Sequence, residues 1–170
     1  MSKTKWLLSI GLLVFILTLV FYSYKNFNNK KFNKEEFLLK IKGKANNDND
    51  YIYLNVWNTS CIPCIREMPS LDSLASIYKN KVQFVFITDD KDVLVNDFLE
   101  RKNIDLKNFD FLNNQEEAID YLCKKINKSK VYPMHFILNR EFEIIHHHTA
   151  FISVEGSFDP ILTKALKKLK

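Results

Sequence analysis

Arginine is scarce in this sequence. Three stand among 170 residues, and no stretch interleaves basic with aromatic side chains, which argues against a nucleic-acid partner because phosphate and base recognition draw on both. The net charge of +5 comes mostly from lysines dispersed along the chain, as on a solvated surface. Cysteine is sparse too: there are three, so one is left over once Cys61 and Cys64 are paired. A zinc site on that pair would need a second pair of ligands at suitable spacing. No internal repeat is present. With 46% hydrophobic residues the length allows one domain with a real core.

Charge is absent altogether from Trp6 to Tyr24, where Leu7-Leu8, Leu12 to Leu17 and Leu19-Val20-Phe21 make an apolar segment about as long as a bilayer core requires. Residues 21–25 offer no small-residue cleavage site, and no cysteine follows for lipid attachment. The expectation is an uncleaved transmembrane anchor over 6–24 behind a flank at 1–5, with Trp6, Tyr22 and Tyr24 as interfacial aromatics. Lys3 and Lys5 precede the segment, whereas Lys25, Lys30, Lys31 and Lys34 follow it. By the positive-inside rule those charges favour a cytoplasmic C-terminal domain.

Tyr51-Ile52-Tyr53-Leu54 is short and apolar enough for a buried strand, and Ile65, Met68, Leu71, Ala75 and Tyr78 have helical spacing. Cys61 and Cys64 therefore sit where a strand hands over to a helix. Free N–H groups and the positive end of the helix dipole favour a thiolate there, which makes Cys61 the nucleophile. Cys64, one turn on, is placed to resolve a mixed disulfide on Cys61. Pro63 suits a first helical turn, where no N–H is needed.

Residues 25–50 are expected to be a juxtamembrane linker and domain entry, with a short ordered element around Glu35 to Leu39 and a loop from Gly43 to Asp50. The domain is expected over 51–170. A second strand at Val82 to Ile87 implies a parallel pair with a right-handed crossover. A helix from Val93 to Lys102, a short strand at Phe109 to Leu112 and a helix from Gln115 to Asn127 follow, the last carrying Cys123 as a buried structural thiol. Met134 to Leu138 and Glu143 to His146 form an antiparallel hairpin, and Phe158 to Lys170 an amphipathic helix.

This order resembles the thioredoxin fold, an α/β architecture with a central mixed sheet flanked by helices. Asn55-Val56-Trp57-Asn58-Thr59-Ser60-Cys61-Ile62-Pro63-Cys64-Ile65-Arg66-Glu67-Met68-Pro69 is similar to the signature of the membrane-anchored TlpA/ResA-type thiol-disulfide oxidoreductases. Trp57, Thr59, both cysteines, Pro63, Glu67 and Pro69 all fall in place. The resemblance implies a disulfide reductase in which Cys61, Cys64 and Glu67 carry the chemistry and Trp57, Pro63, Tyr132 and Pro133 meet the substrate. It implies that Pro133 is a cis-proline, with the backbone of Tyr132 offered to an extended segment, and that Glu67 takes the proton of Cys64. It further implies an outer-side location on a bacterial inner membrane, protein disulfide substrates such as apocytochrome c, an electron-donating membrane thiol-disulfide protein, and no cofactor.

Four departures bear on redox potential and partner. Ser60 replaces an aromatic, Met134 and His135 stand where threonines are common, the hairpin turn lacks glycine, and Asn55 occupies the place of a buried acid in classical thioredoxins. The rival reading is a copper-handling protein of the same fold, using the cysteine pair with a histidine from His146-His147-His148, or with Met134 and His135. In a strand, however, His146 and His148 face one way and His147 the other, so the run cannot act as one ligand cluster. A peroxidase of related fold fits less well with a resolving cysteine only three residues away.

Overall fold

The computed structural model describes residues 3–27, 32–42, 49–149 and 168. The amphipathic helix expected at 158–170 and most of the loop expected at 43–50 lie outside them. Two compact units are present, one ending at Phe32 and one beginning at Asn33. The first contains helix α1 (Lys3–Phe27), whose sequence is apolar between lysine-bearing ends. Its described side chains run from 11 to 23, and among the described residues no helix is long and apolar enough to cross a membrane.

The second unit contains α2 (Lys34–Lys42), β1 (Tyr51–Val56), α3 (Ile62–Tyr78), β2 (Val82–Ile87), α4 (Asp92–Arg101), β3 (Asp110–Leu112), α5 (Glu116–Lys125), β4 (Met134–Asn139) and β5 (Ile144–His148). Among the described residues five strands form one sheet in the order β3-β2-β1-β4-β5. β1 runs parallel to β2 and β2 to β3, whereas β4 is antiparallel to both β1 and β5. The sheet is therefore mixed, as expected, with the buried strands β1 and β2 in its interior. Alternation in β1 sends Tyr53 toward the core under α3, with Trp57, Met68, Leu71, Phe84, Phe86 and Phe98. Across the sheet, Cys123 of α5 lies 3.8 Å from the sulfur of Met134.

The domain begins earlier than the boundary at residue 51 expected from composition. Phe37 and Ile41 of α2 are buried, Phe37 packs edge-on against Phe142 at 5.4 Å, and the Ile41 carbonyl accepts a 2.9 Å hydrogen bond from Gln83. Residues 34–42 are thus part of the packed unit and not linker.

Sharp turns are made almost without glycine, which is absent between Gly43 and Gly156. Asn103, Asn114 and Asn127 take positive φ instead, a conformation asparagine tolerates better than most residues. Phe142, in the hairpin turn, does so as well, at φ 62°. Its ring is buried against Phe37 and Tyr121, and that burial offsets the roughly 1–2 kcal/mol cost of a left-handed residue.

Candidate active site

β1 delivers the cysteine loop. Trp57 N–H donates to the Ile87 carbonyl at 3.1 Å, extending the β1–β2 ladder by one bond before the chain turns. Ser60 N–H then donates to Asn58 Oδ1 at 3.0 Å, Cys61 N–H to the Asn58 carbonyl at 3.1 Å, and Thr59 N–H to Asp90 Oδ2 at 2.7 Å. Cys61 is the N-cap of α3 in extended conformation, with Pro63 in the first turn. Its Sγ accepts a 3.2 Å hydrogen bond from the Cys64 N–H, the kind of donor that stabilises sulfur charge at a helix start.

Cys61 and Cys64 are joined as a disulfide with S–S 1.99 Å and Cα atoms 5.3 Å apart. Cys61 is 8% exposed and Cys64 fully buried. Cys61 is thus the more accessible of the two sulfurs.

Glu67, three residues beyond Cys64 and on the same helical face, is fully buried. It is part of a polar group that sequence reasoning did not assemble. Asn55 Nδ2 donates to Glu67 Oε1 at 2.9 Å and lies 3.1 Å from His135 Nδ1. The Tyr53 hydroxyl is 2.7 Å from that same nitrogen, and His135 Nε2 is 3.6 Å from Glu67 Oε2. The signal was present: Tyr53 and Asn55 share one face of β1, and the β1–β4 register sets His135 opposite Asn55.

Trp57 differs from expectation. It is fully buried against Phe86, Phe98 and Phe111, with ring centroids about 6 Å apart, so it supports the cysteine loop from within and offers no surface to a substrate. Pro63 is exposed beside Ile62, which is 61% exposed. The Tyr132–Pro133 peptide bond is cis, as the resemblance implies, and Met134 pairs with Val56, so Pro133 sits at the sheet end where the cysteine loop begins. Pro133 is buried and Tyr132 half-buried.

Tyr132 is held by a second polar group. Its hydroxyl donates to Asp89 at 2.8 Å, and Lys130 Nζ lies 3.0 Å from the same carboxylate. Burial alone would raise Asp89, but the hydrogen bonds from Lys130 and Tyr132 and the Lys130 charge outweigh it and hold the carboxyl below its usual value. Burial, then the Asp89 contact, pushes the Tyr132 phenol well above its ordinary range, so it remains a donor.

Cys123 is buried, and its thiol is raised first by burial and then by Asp120. An inert structural thiol is the expected behaviour of such a group. In the histidine run, His148 stacks on His135 and His147 on Phe136, the alternation expected of a strand. Both His135 ring nitrogens are turned toward protein groups, and among the described residues no set of three or more His, Cys, Asp or Glu side chains is arranged to hold a metal ion.

Comparison with known proteins places this geometry in a family. The chain matches the Redoxin family over residues 27–161. It belongs to the redoxin family. Within it, this redoxin is 30% identical over 112 residues to the thiol-disulfide oxidoreductase ResA of Bacillus cereus, a match covering 64% of this chain and 56% of that protein. It is 38% identical over 72 residues to the ResA of Bacillus thuringiensis subsp. konkukian, covering 41% of this chain and 37% of that protein. The redoxin thus spans about half or less of the curated relatives it matches, and its kinship with the TlpA/ResA type stands on them. An exposed lipoprotein thioredoxin from Streptococcus pneumoniae superposes with a TM-score of 0.54 at 17% identity, over 75% of this chain and 94% of that one. A thioredoxin-related protein from Neisseria meningitidis serogroup B gives 0.55 at 19% identity, over 73% and 87%. These likenesses establish the thioredoxin-like fold.

Proposed function

We propose that this redoxin is a thiol-disulfide oxidoreductase that reduces disulfides in protein partners. The observation that carries the reading is the Cys61–Cys64 disulfide at the start of α3, with Cys61 8% exposed and Cys64 fully buried one turn before the buried Glu67. In the reduced protein the Cys61 thiolate attacks a partner disulfide. One partner sulfur leaves and a mixed disulfide forms. Cys64 gives its proton to Glu67 and attacks Cys61 Sγ, which closes the intramolecular disulfide and releases the second partner sulfur. Two electrons pass to the partner, and its two thiolates take up protons.

Several features of the sequence extend the proposal. The charge-free segment of α1 tethers the domain to a bacterial inner membrane, and the outer side, where disulfides form, is taken from the family resemblance against the pull of the flanking lysines. Its substrates there are envelope proteins, apocytochrome c among them, and a membrane thiol-disulfide protein resupplies the electrons. The exposed Ile62 and Val131, beside Pro63 and Tyr132, fit an extended substrate segment laid along the cis-proline.

A redox titration of the full chain against glutathione or dithiothreitol buffers, followed by thiol alkylation and mass, tests the reading, with Cys61→Ser and Cys64→Ser alongside. The expected result is a reversible two-electron couple more reducing than about −230 mV, with mixed disulfides trapped on Cys61 in the Cys64→Ser variant. Absence of a reversible couple would falsify it, and so would stoichiometric copper or zinc retained by the reduced protein and lost in both serine variants.

A further inference from the structure

Disulfide exchange as set out above uses Glu67 and leaves the imidazole of His135 without a task, although that ring is 1% exposed. A polar ring is held at such depth only by specific partners. The groups that face it are Tyr53 and Asn55 from β1, Glu67 from α3, and His148 from β5, whose ring stacks on it at 6.0 Å.

The Asn55 amide fixes how this group is protonated. Its nitrogen has two hydrogens and lies within hydrogen-bond distance of two atoms, Glu67 Oε1 at 2.9 Å and His135 Nδ1 at 3.1 Å. An amide nitrogen can only donate, so Nδ1 accepts. A neutral imidazole that accepts at Nδ1 carries its proton on Nε2, and Nε2 is the atom facing Glu67 Oε2 at 3.6 Å. Turned the other way, the amide oxygen would need a proton on both Glu67 and Nδ1, so the orientation seen, which leaves the buried Asn55 Oδ1 without a hydrogen-bond partner among the described residues, is the one that suits an ionised Glu67. Glu67 therefore faces N–H groups from both sides.

Burial by itself favours the neutral acid, and a neutral acid cannot receive a proton from Cys64. We propose that His135 is a positioning residue for the exchange reaction: its Nε2–H, together with the Asn55 amide, keeps Glu67 a carboxylate that is ready when Cys64 must lose its proton. The proposal rests on the reading of Glu67 as the base for Cys64. His135 does not touch the reacting sulfurs in this scheme. The Cys64 proton goes to Glu67, the Cys64 electron pair forms the bond to Cys61 Sγ, and the bond from Cys61 to the partner breaks.

The test is the midpoint potential of the full chain as a function of pH, for wild type, Glu67→Gln, His135→Thr, His135→Gln and Tyr53→Phe. Wild type is expected to show a break in slope that Glu67→Gln removes. His135→Thr should move that break upward by about one pH unit, since the charged carboxylate loses the favourable field of the Nε2–H that faces it at 3.6 Å. His135→Gln, which retains an N–H, should return it toward the wild-type position. Tyr53→Phe leaves the Glu67 contacts in place and should move it upward by less. A break that stays put in folded His135→Thr overturns the proposal. Should that variant fail to fold, Tyr53→Phe decides: no shift, or a downward one, overturns it. A reversible couple without any Glu67-dependent break overturns the role of His135 and leaves disulfide exchange standing, whereas absence of a couple removes both.

Discussion

The cysteine loop is tied to two polar groups of opposite character. On its inner side Tyr53, Asn55, Glu67 and His135 are each at most 1% exposed. On the rim, Asp89 and Lys130 keep 24% and 28% of their side-chain surface in contact with solvent, and the neighbouring Asp90 holds the loop through Thr59. Inside, bulk solvent screens a charge weakly, so the protonation state of one carboxylate changes the energy of its neighbours. At the rim, an ion pair of full charges sets positions but contributes modestly, because solvent competes for both partners. The inner group is suited to proton handling and the outer one to placing the cis-proline turn.

Breaking the inner group should cost most. Asn55→Ala removes the donor shared by Glu67 Oε1 and His135 Nδ1, and withdrawing one partner from buried polar groups costs about 1–3 kcal/mol for each. We expect the variant to lose about 2–4 kcal/mol, read as a lower denaturant midpoint of the oxidised full chain. A loss under about 0.5 kcal/mol would mean that the inner network is not a unit.

The rim should respond less, and with a pH signature of its own. Asp89→Asn weakens the contacts to Lys130 and Tyr132, at an expected cost of about 1–2 kcal/mol near neutrality. Because the folded-state pKa of Asp89 lies below its ordinary value, its contribution is fully present above about pH 4 and is lost as pH falls through the folded value. The stability difference between wild type and Asp89→Asn should therefore be constant from pH 5 to 8 and shrink in acid (about one unit either side of the carboxylate range). A difference that grows in acid would show that another group sets the rim. Exchange activity should fall less in this variant than in Glu67→Gln, since general acid–base groups typically contribute 10²–10⁴-fold.

What the sequence disclosed follows the same division. Strands, the cysteine-bearing helix and the hairpin were legible because each depends on local spacing: apolar runs at 51–54 and 82–87, helical period from Ile65 to Tyr78, and alternation through His146-His147-His148. Cys61, Cys64 and Glu67 lie within seven residues, so the N-cap and first turns of a single helix carry all three. The inner network was not legible as a unit, because Tyr53, Asn55 and His135 are joined only by the β1–β4 register, across 80 residues of chain. Trp57 was expected to meet the substrate because a loop motif states which residue is present, and not which way its ring turns. The same limit hid how α2 packs: a short ordered element was expected around Glu35 to Leu39, but not the contacts with Gln83 and Phe142 from distant elements.

The smallest expected effect tests which rim contact positions the cis-proline turn. Tyr132→Phe removes a hydroxyl that donates to both Asp89 oxygens and leaves the Lys130–Asp89 pair at 3.0 Å in place. One hydrogen bond to a charged acceptor at a partly exposed site is worth about 1 kcal/mol, and the phenol remains neutral through any ordinary pH range because burial and Asp89 push its ionisation upward. The loss should thus be about 1 kcal/mol and independent of pH from 6 to 9. Asp89 keeps its lysine, so the acid limb of the stability curve should move only part of the way toward that of Asp89→Asn. If Tyr132→Phe instead reproduces the whole Asp89→Asn curve, the phenol and not the ion pair organises the rim. The two sides of the cysteine loop would then both rest on hydrogen bonds and differ only in burial.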